Sequence, residues 1–110
     1  MTSPIPVLSI ATRTSASGPV IEAVGQLDYD TAPQVRAAIS STLAAVPAPS
    51  SVDLDLAGLT FCDSSGLTAL IQARNEAARA GTSLRLFAAS ENITALLELT
   101  GAQALFPPAA

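Results

Sequence analysis

Apolar and polar residues recur along this chain at two periods, and the switches between them mark out the elements. Ile5, Val7, Leu8 and Ile10 predict a first strand, Thr14 to Gly18 a Ser/Gly-rich turn, and Val20 to Val24 a second strand. The two strands are expected to pair as a hairpin. Gly25 to Asp30 then reads as a loop, after which Asp30 or Thr31 caps a helix with Pro33 in its first turn. That helix carries Val35, Ile39, Leu43 and Val46 as its apolar stripe, and Pro47 and Pro49 end it. Val52, Leu54 and Leu56 alternate with Ser51, Asp53 and Asp55, the signature of a strand that buries one face. Its aspartate-rich other face favours a place near the sheet edge over the centre.

The apolar run continues to Cys62 and stops at Asp63-Ser64-Ser65-Gly66-Leu67, so Ser64 falls on a strand-to-helix turn. From there Leu67, Leu70, Ile71, Arg74, Ala77 and Ala78 follow one side of a helix, and Thr68, Gln72, Asn75 and Glu76 the other, with a stop near Gly81. Leu84, Leu86 and Phe87 predict a further strand, Asn92 to Leu99 a short helix with Ile93, Leu96 and Leu97 inward, and Ala104 to Phe106 a last short strand after Gly101. Pro107 and Pro108 close the domain. Helices alternating with strands after an initial hairpin imply an α/β fold with a mixed sheet, its later strands parallel and covered by helices. With 110 residues and no internal repeat or linker, residues 1–110 are read as one domain, long enough to bury roughly two thirds of the unfolded surface.

Composition narrows the functional classes. Apolar residues make up 49% and charged residues 13%, which excludes a disordered chain. The net charge of −4 comes from nine carboxylates against five scattered arginines (Arg13, Arg36, Arg74, Arg79, Arg85), so the clustered cations of a nucleic-acid footprint are missing. The single cysteine, Cys62, cannot form an internal disulfide, and its neighbours Leu59 and Phe61 suggest a buried thiol in a reducing, cytoplasmic compartment. No apolar stretch approaches the roughly 20 residues of a spanning helix, and the N-terminus lacks the pattern of an export signal. We therefore expect no membrane insertion.

The absence of histidine and lysine is as informative. Without them there is no Ser-His-Asp triad, no Ser-Lys dyad, no Schiff base and no P-loop lysine, and Cys62 stands where a nucleophile elbow needs glycine. Asp53, Asp55 and Asp63 read as solvated or capping residues, not as metal ligands. No cofactor, metal or catalytic activity is expected. What remains is Ser64, whose hydroxyl lies beside the unpaired N–H groups and positive dipole end of a helix, where a phosphate is accommodated with little strain. Its alternative reading is a plain N-cap.

The stretch Val52-Asp53-Leu54-Asp55-Leu56 through Phe61-Cys62-Asp63-Ser64-Ser65-Gly66-Leu67 resembles the central motif of the STAS domain of anti-sigma-factor antagonists. Gly25-Gln26-Leu27-Asp28 with Thr31-Ala32 resembles the family's second signature, and Leu96 through Thr100-Gly101 its C-terminal helix and turn, so the resemblance covers nearly the whole chain. Cys62 departs from the Ile, Met or Leu common at its position, a change a small buried thiol tolerates. The resemblance implies a partner switch. The unmodified protein binds an anti-sigma factor that is also a serine kinase of the GHKL type, phosphorylation of Ser64 ends that binding, and a PP2C-type phosphatase restores it. Asp28, Asp30, Thr31, Asp63, Ser64, Ser65, Gly66 and Thr68 are the expected partner-binding residues.

A phosphoserine would add about −1.5 to −2 charge next to Asp63, with Asp28 and Asp30 on the same rim and no arginine near in sequence. The N–H groups of Gly66 and Leu67 are expected to hold it. A missing side chain at Gly66 would let a partner backbone approach, and Asp28 either orients the kinase's loop or begins the first helix. Two alternatives stay open: a STAS scaffold or transporter-associated subunit that binds without phosphorylation, and a nucleotide-binding or weakly hydrolytic domain.

Overall fold

The computed structural model describes residues 7–109, so Ile5 of the first predicted strand lies outside the described residues. β1 (Leu8–Ser15) and β2 (Gly18–Leu27) form the antiparallel hairpin, and β3 (Ser51–Cys62) and β4 (Ser83–Ala89) add parallel to it in the order β1-β2-β3-β4. The parallel steps are made through α1 (Ala32–Leu43) and α2 (Ser64–Arg79), and α3 (Glu91–Thr100) follows β4. This is the expected mixed sheet with helical cover.

One apolar cluster joins Leu8, Ile21 and Ala23 of the hairpin and Val52, Leu54, Leu56 and Leu59 of β3 to all three helices. α1 contributes Val35, Ile39 and Leu43, α2 contributes Leu67, Leu70, Ala73 and Ala77, and α3 contributes Ile93 and Leu97. Since strand side chains alternate, Val20, Asp53 and Arg85 fall on the opposite face of the sheet, where they stand in register across β2, β3 and β4.

Several expectations are corrected. β3 is an inner strand, and Asp53 is not solvated: it is 3% exposed and takes a bidentate ion pair from Arg85, with Nε to Oδ1 2.8 Å and Nη2 to Oδ2 3.2 Å. The partner strand supplies the compensating charge, which a single segment of sequence cannot display. Gly25 to Leu27 is strand and not loop: Gly25, at φ +116, sits at a register shift, and a Cβ there would collide with the Val7 carbonyl. α1 ends before Val46, which is 97% exposed, and on α2 Ala78 is exposed and Arg74 only half-buried. Residues Ala102–Leu105 form a 3-10 turn where a strand was expected, because an apolar run of three residues does not separate the two conformations. Phe106 nevertheless enters the core, and Pro107 to Ala109 run alongside β4 through Leu86 N to Pro107 O and Ala109 N to Leu86 O.

Candidate functional site

β2 and β3 are parallel neighbours and each feeds a helix, so the starts of α1 and α2 come together at one end of the sheet. The helices run side by side in the same direction. Arg36 Nη1 donates to Gln72 Oε1 at 2.6 Å, and one turn on Ser40 Oγ donates to Glu76 Oε1 at 2.8 Å. Above these ties the helices part into an open groove of about 710 Å³, lined by Tyr29, Asp30, Ala32, Pro33, Arg36, Ser64, Ser65, Thr68, Ala69 and Gln72.

Ser64 is the first residue of α2 and is not its cap. Asp63 holds that place, with extended backbone and Oδ1 accepting from Gly66 N at 2.9 Å. The Leu67 N–H is also taken, donating to Asp63 O at 3.0 Å. The two amides expected to hold a phosphate are therefore occupied. Ser64 Oγ is exposed and makes no hydrogen bond to a described residue, while its carbonyl accepts from Thr68 Oγ1 at 2.8 Å. Ser65 is half-buried at its side and Thr68 is exposed one turn along.

The other expected residues divide by role. Asp28 Oδ1 accepts from Asp30 N at 3.0 Å and Thr31 N at 3.1 Å, so this carboxylate builds the turn that begins α1. Thr31 is 5% exposed, with its hydroxyl donating to Gln26 O at 2.9 Å and accepting from Asp28 N at 2.9 Å. It anchors the loop and offers no surface. Gly66 is buried too: a Cβ there would meet Leu27 Cγ and Leu27 O at 2.8 Å and Cys62 Sγ at 2.9 Å. Its missing side chain makes room for its own β2 and β3, not for a partner backbone. Asp30, Ser64, Ser65 and Thr68 are the expected residues that line the groove itself.

Sequence reading missed Tyr29, 79% exposed beside the groove, and Arg36 and Gln72 on the facing helices. The available signal was the matched spacing of polar residues on both helices, Arg36 with Ser40 and Gln72 with Glu76, four apart in each case. Arg36 lies 28 positions from Ser64, so closeness in sequence does not reveal it.

Cys62 is half-buried at the end of β3 and lines a second, smaller cleft of about 370 Å³ with Phe61, Leu96 and Leu99. Phe61 is 47% exposed, so it does not seal the thiol as its apolar character suggested. Burial, followed by the negative charge of Asp63, still pushes the thiol up to about 11. Among the described residues no three His, Cys, Asp or Glu side chains converge on a metal position, and no helix is long and apolar enough to cross a membrane.

Comparison with known proteins places this geometry. An anti-sigma factor antagonist from Mycobacterium paratuberculosis superposes with a TM-score of 0.78 at 22% identity, over 92% of this chain and 84% of that one. The anti-sigma factor antagonist SpoIIAA in its unphosphorylated form gives 0.67 at 24% identity, over 93% and 89%. The Bacillus cell fate determinant SpoIIAA in its phosphorylated form gives 0.65 at 24% identity, over 93% and 92%. At these identities the likeness is one of fold. No curated protein matches the chain. The family model described as "Mlab, STAS domain" matches residues 10–107, from the hairpin to the extended segment beside β4, and the chain accordingly belongs to the STAS-domain family.

Proposed function

We propose that this protein is a cytoplasmic anti-sigma-factor antagonist that works by binding and not by catalysis. In its unmodified form it binds an anti-sigma factor of the GHKL serine-kinase type through the α1–α2 groove, and the sigma factor is set free. The kinase then transfers the γ-phosphoryl group of ATP to Ser64. The Oγ–P bond forms as the bond from the γ-phosphorus to the β,γ-bridging oxygen breaks, the electron pair leaves with ADP, and the hydroxyl proton passes to a base of the kinase. Hydrolysis of the phosphoserine by a PP2C-type phosphatase returns the serine.

The observation that carries this reading is the free Ser64 hydroxyl: exposed, relieved of capping duty by Asp63, and on the wall of a groove flanked by Tyr29 and Asp30. A group with no structural task tolerates modification without loss of the fold. The groove suits a protein partner, because exposed tyrosines are common anchors at interfaces. A phosphate would put about −1.5 to −2 charge beside Asp63 and Asp30, so a closely packed partner meets charge it has no means to pair.

The test uses the GHKL-type anti-sigma kinases of the source organism, purified and incubated with the protein and ATP. We expect mass spectrometry to find one phosphate, at Ser64, and Ser64→Asp to lose binding to that kinase while melting near the parent temperature. Binding without any added phosphate would instead support a scaffold or transporter-associated subunit. That reading draws on the matched family model, which is the Mlab STAS domain.

A further inference from the structure

We infer that Arg36 is the receiving group for the phosphate on Ser64, drawing it into the α1–α2 groove so that modification occupies the partner's site from within the same chain. This rests on the reading of Ser64 as phosphoacceptor. The groove brings together two residues from different helices, Arg36 on α1 and Ser64 on α2, and Arg36 is the cationic residue of its lining. In the unphosphorylated protein the guanidinium rests on Gln72, two turns along α2 from Ser64, and the lean of helical side chains toward the helix N-terminus gives it a path up the groove from there.

Arg36 is also poorly committed. A guanidinium has five N–H donors, and here one of them makes a short hydrogen bond, to the uncharged Gln72 amide. Glu76 Oε2 lies 3.7 Å from Nη2, an ion pair beyond hydrogen-bonding distance, and Glu76 is already engaged by Ser40. Nε is buried and pairs with no described residue. Exchange of a neutral amide for a doubly charged phosphate, which matches the guanidinium fork in a bidentate geometry, is favourable in both charge and shape. The other charged and titratable groups facing the position are Asp30 and Tyr29 from the β2–α1 loop, Asp63 at the cap and Glu76 on α2, none of which is a cation. Arg36 is thus the group that decides whether the phosphate stands out in solvent or lies down in the groove.

The test needs no kinase. Phosphoserine is installed genetically at position 64 of the full chain, and its second ionisation is followed by 31P NMR in the parent and in Arg36→Gln. We expect the phosphate to titrate about half a pH unit lower in the parent than in Arg36→Gln, a partly exposed arginine exerting a fraction of its full effect. Asp63, the helix dipole and Asp30 are common to both proteins and cancel. Arg36→Met supplies the same comparison if Arg36→Gln fails to fold, and phosphoserine at position 65 serves as the positional control. Equal titration in parent and variants, or a dependence on Arg36 at position 65 and not at 64, would overturn the inference. Failure of every GHKL kinase to modify Ser64 would instead remove the functional reading, and leaves the titration to decide Arg36 on its own.

Discussion

Asp63 and Ser64 are neighbours that sequence alone could not tell apart as caps, and their replacement by alanine should separate structure from function at this site. Asp63→Ala removes the 2.9 Å bond to the Gly66 N–H and a negative charge at the positive end of α2. A side-chain cap is worth about 1 kcal/mol and a charge in the first turn about 0.3–1, so the loss should be about 1–2 kcal/mol. For a domain of this size each kcal/mol moves the melting temperature by roughly 4–8 °C, and the variant should melt about 4–16 °C lower. Ser64→Ala removes an exposed hydroxyl without a partner and places a good helix former at the first helical position. Its stability should stay within about 0.5 kcal/mol of the parent. Asp63→Asn keeps the cap without the charge, so it should fall between the two. Thermal and urea melts of the unphosphorylated proteins, with unchanged urea slopes as the check on two-state unfolding, make the comparison. If Ser64→Ala melts as low as Asp63→Ala, Ser64 has a structural duty and the argument that its hydroxyl is free for modification is wrong.

Gly66→Ala should destabilise despite the roughly 1 kcal/mol that alanine gains over glycine in a helix, since the new methyl meets Leu27 O, a backbone atom that cannot step aside; calorimetry should find a net loss of about 1–2 kcal/mol, and a more stable variant would refute the packing. Asp53→Ala should cost about 2–4 kcal/mol in urea unfolding, because Arg85 is left in a largely buried place without its partner, and Asp53→Val with Arg85→Val should recover part of that loss; no recovery would count against a desolvation cost. The Cys62 thiol, held near 11, should react with iodoacetamide at pH 8 on the order of 100-fold more slowly than a free cysteine, and a free-cysteine rate would contradict its burial. Since its folded pKa lies above its unfolded value, its contribution to stability is intact below about pH 9 and falls as pH rises toward 11, so the parent should lose stability across that window faster than Cys62→Ala.

What the sequence made legible was whatever a single segment decides. Val35, Ile39 and Leu43 of the α1 stripe, Leu67, Leu70 and Ala77 of the α2 stripe, the hairpin and the strand-to-helix turn at Ser64 follow from local periodicity and turn chemistry, and the structure has them in place. What it concealed was pairing. Asp53 looked solvated because its counter-charge, Arg85, is 32 positions away and becomes its neighbour only when β4 adds to β3. Gly25 looked like a loop residue because glycine marks loops and strand irregularities alike, and only the crowding by Val7 decides between them. The missing side chain of Gly66 suggests room for a partner backbone, although the space beside it belongs to Leu27 and Cys62.

The same distinction is what the proposed switch requires of a turn that also holds the fold together. Asp28, Thr31, Asp63 and Gly66 spend their polar groups or their small size on their own chain: two carboxylates close the starts of α1 and α2, one hydroxyl pins the loop to β2, and one missing side chain lets α2 sit on β3. Tyr29, Ser64 and Thr68 stand on that frame as exposed groups; the Thr68 hydroxyl is claimed by the Ser64 carbonyl, whereas the Ser64 hydroxyl makes no hydrogen bond to a described residue. A charge added there bears on the mouth of the groove far more than on what holds it open, because the Ser40 to Glu76 tie lies more than three helical turns along α2 from Ser64. Division of labour between adjacent residues is therefore the physical condition for a switch at this position, and it is a condition that melting Asp63→Ala beside Ser64→Ala tests directly.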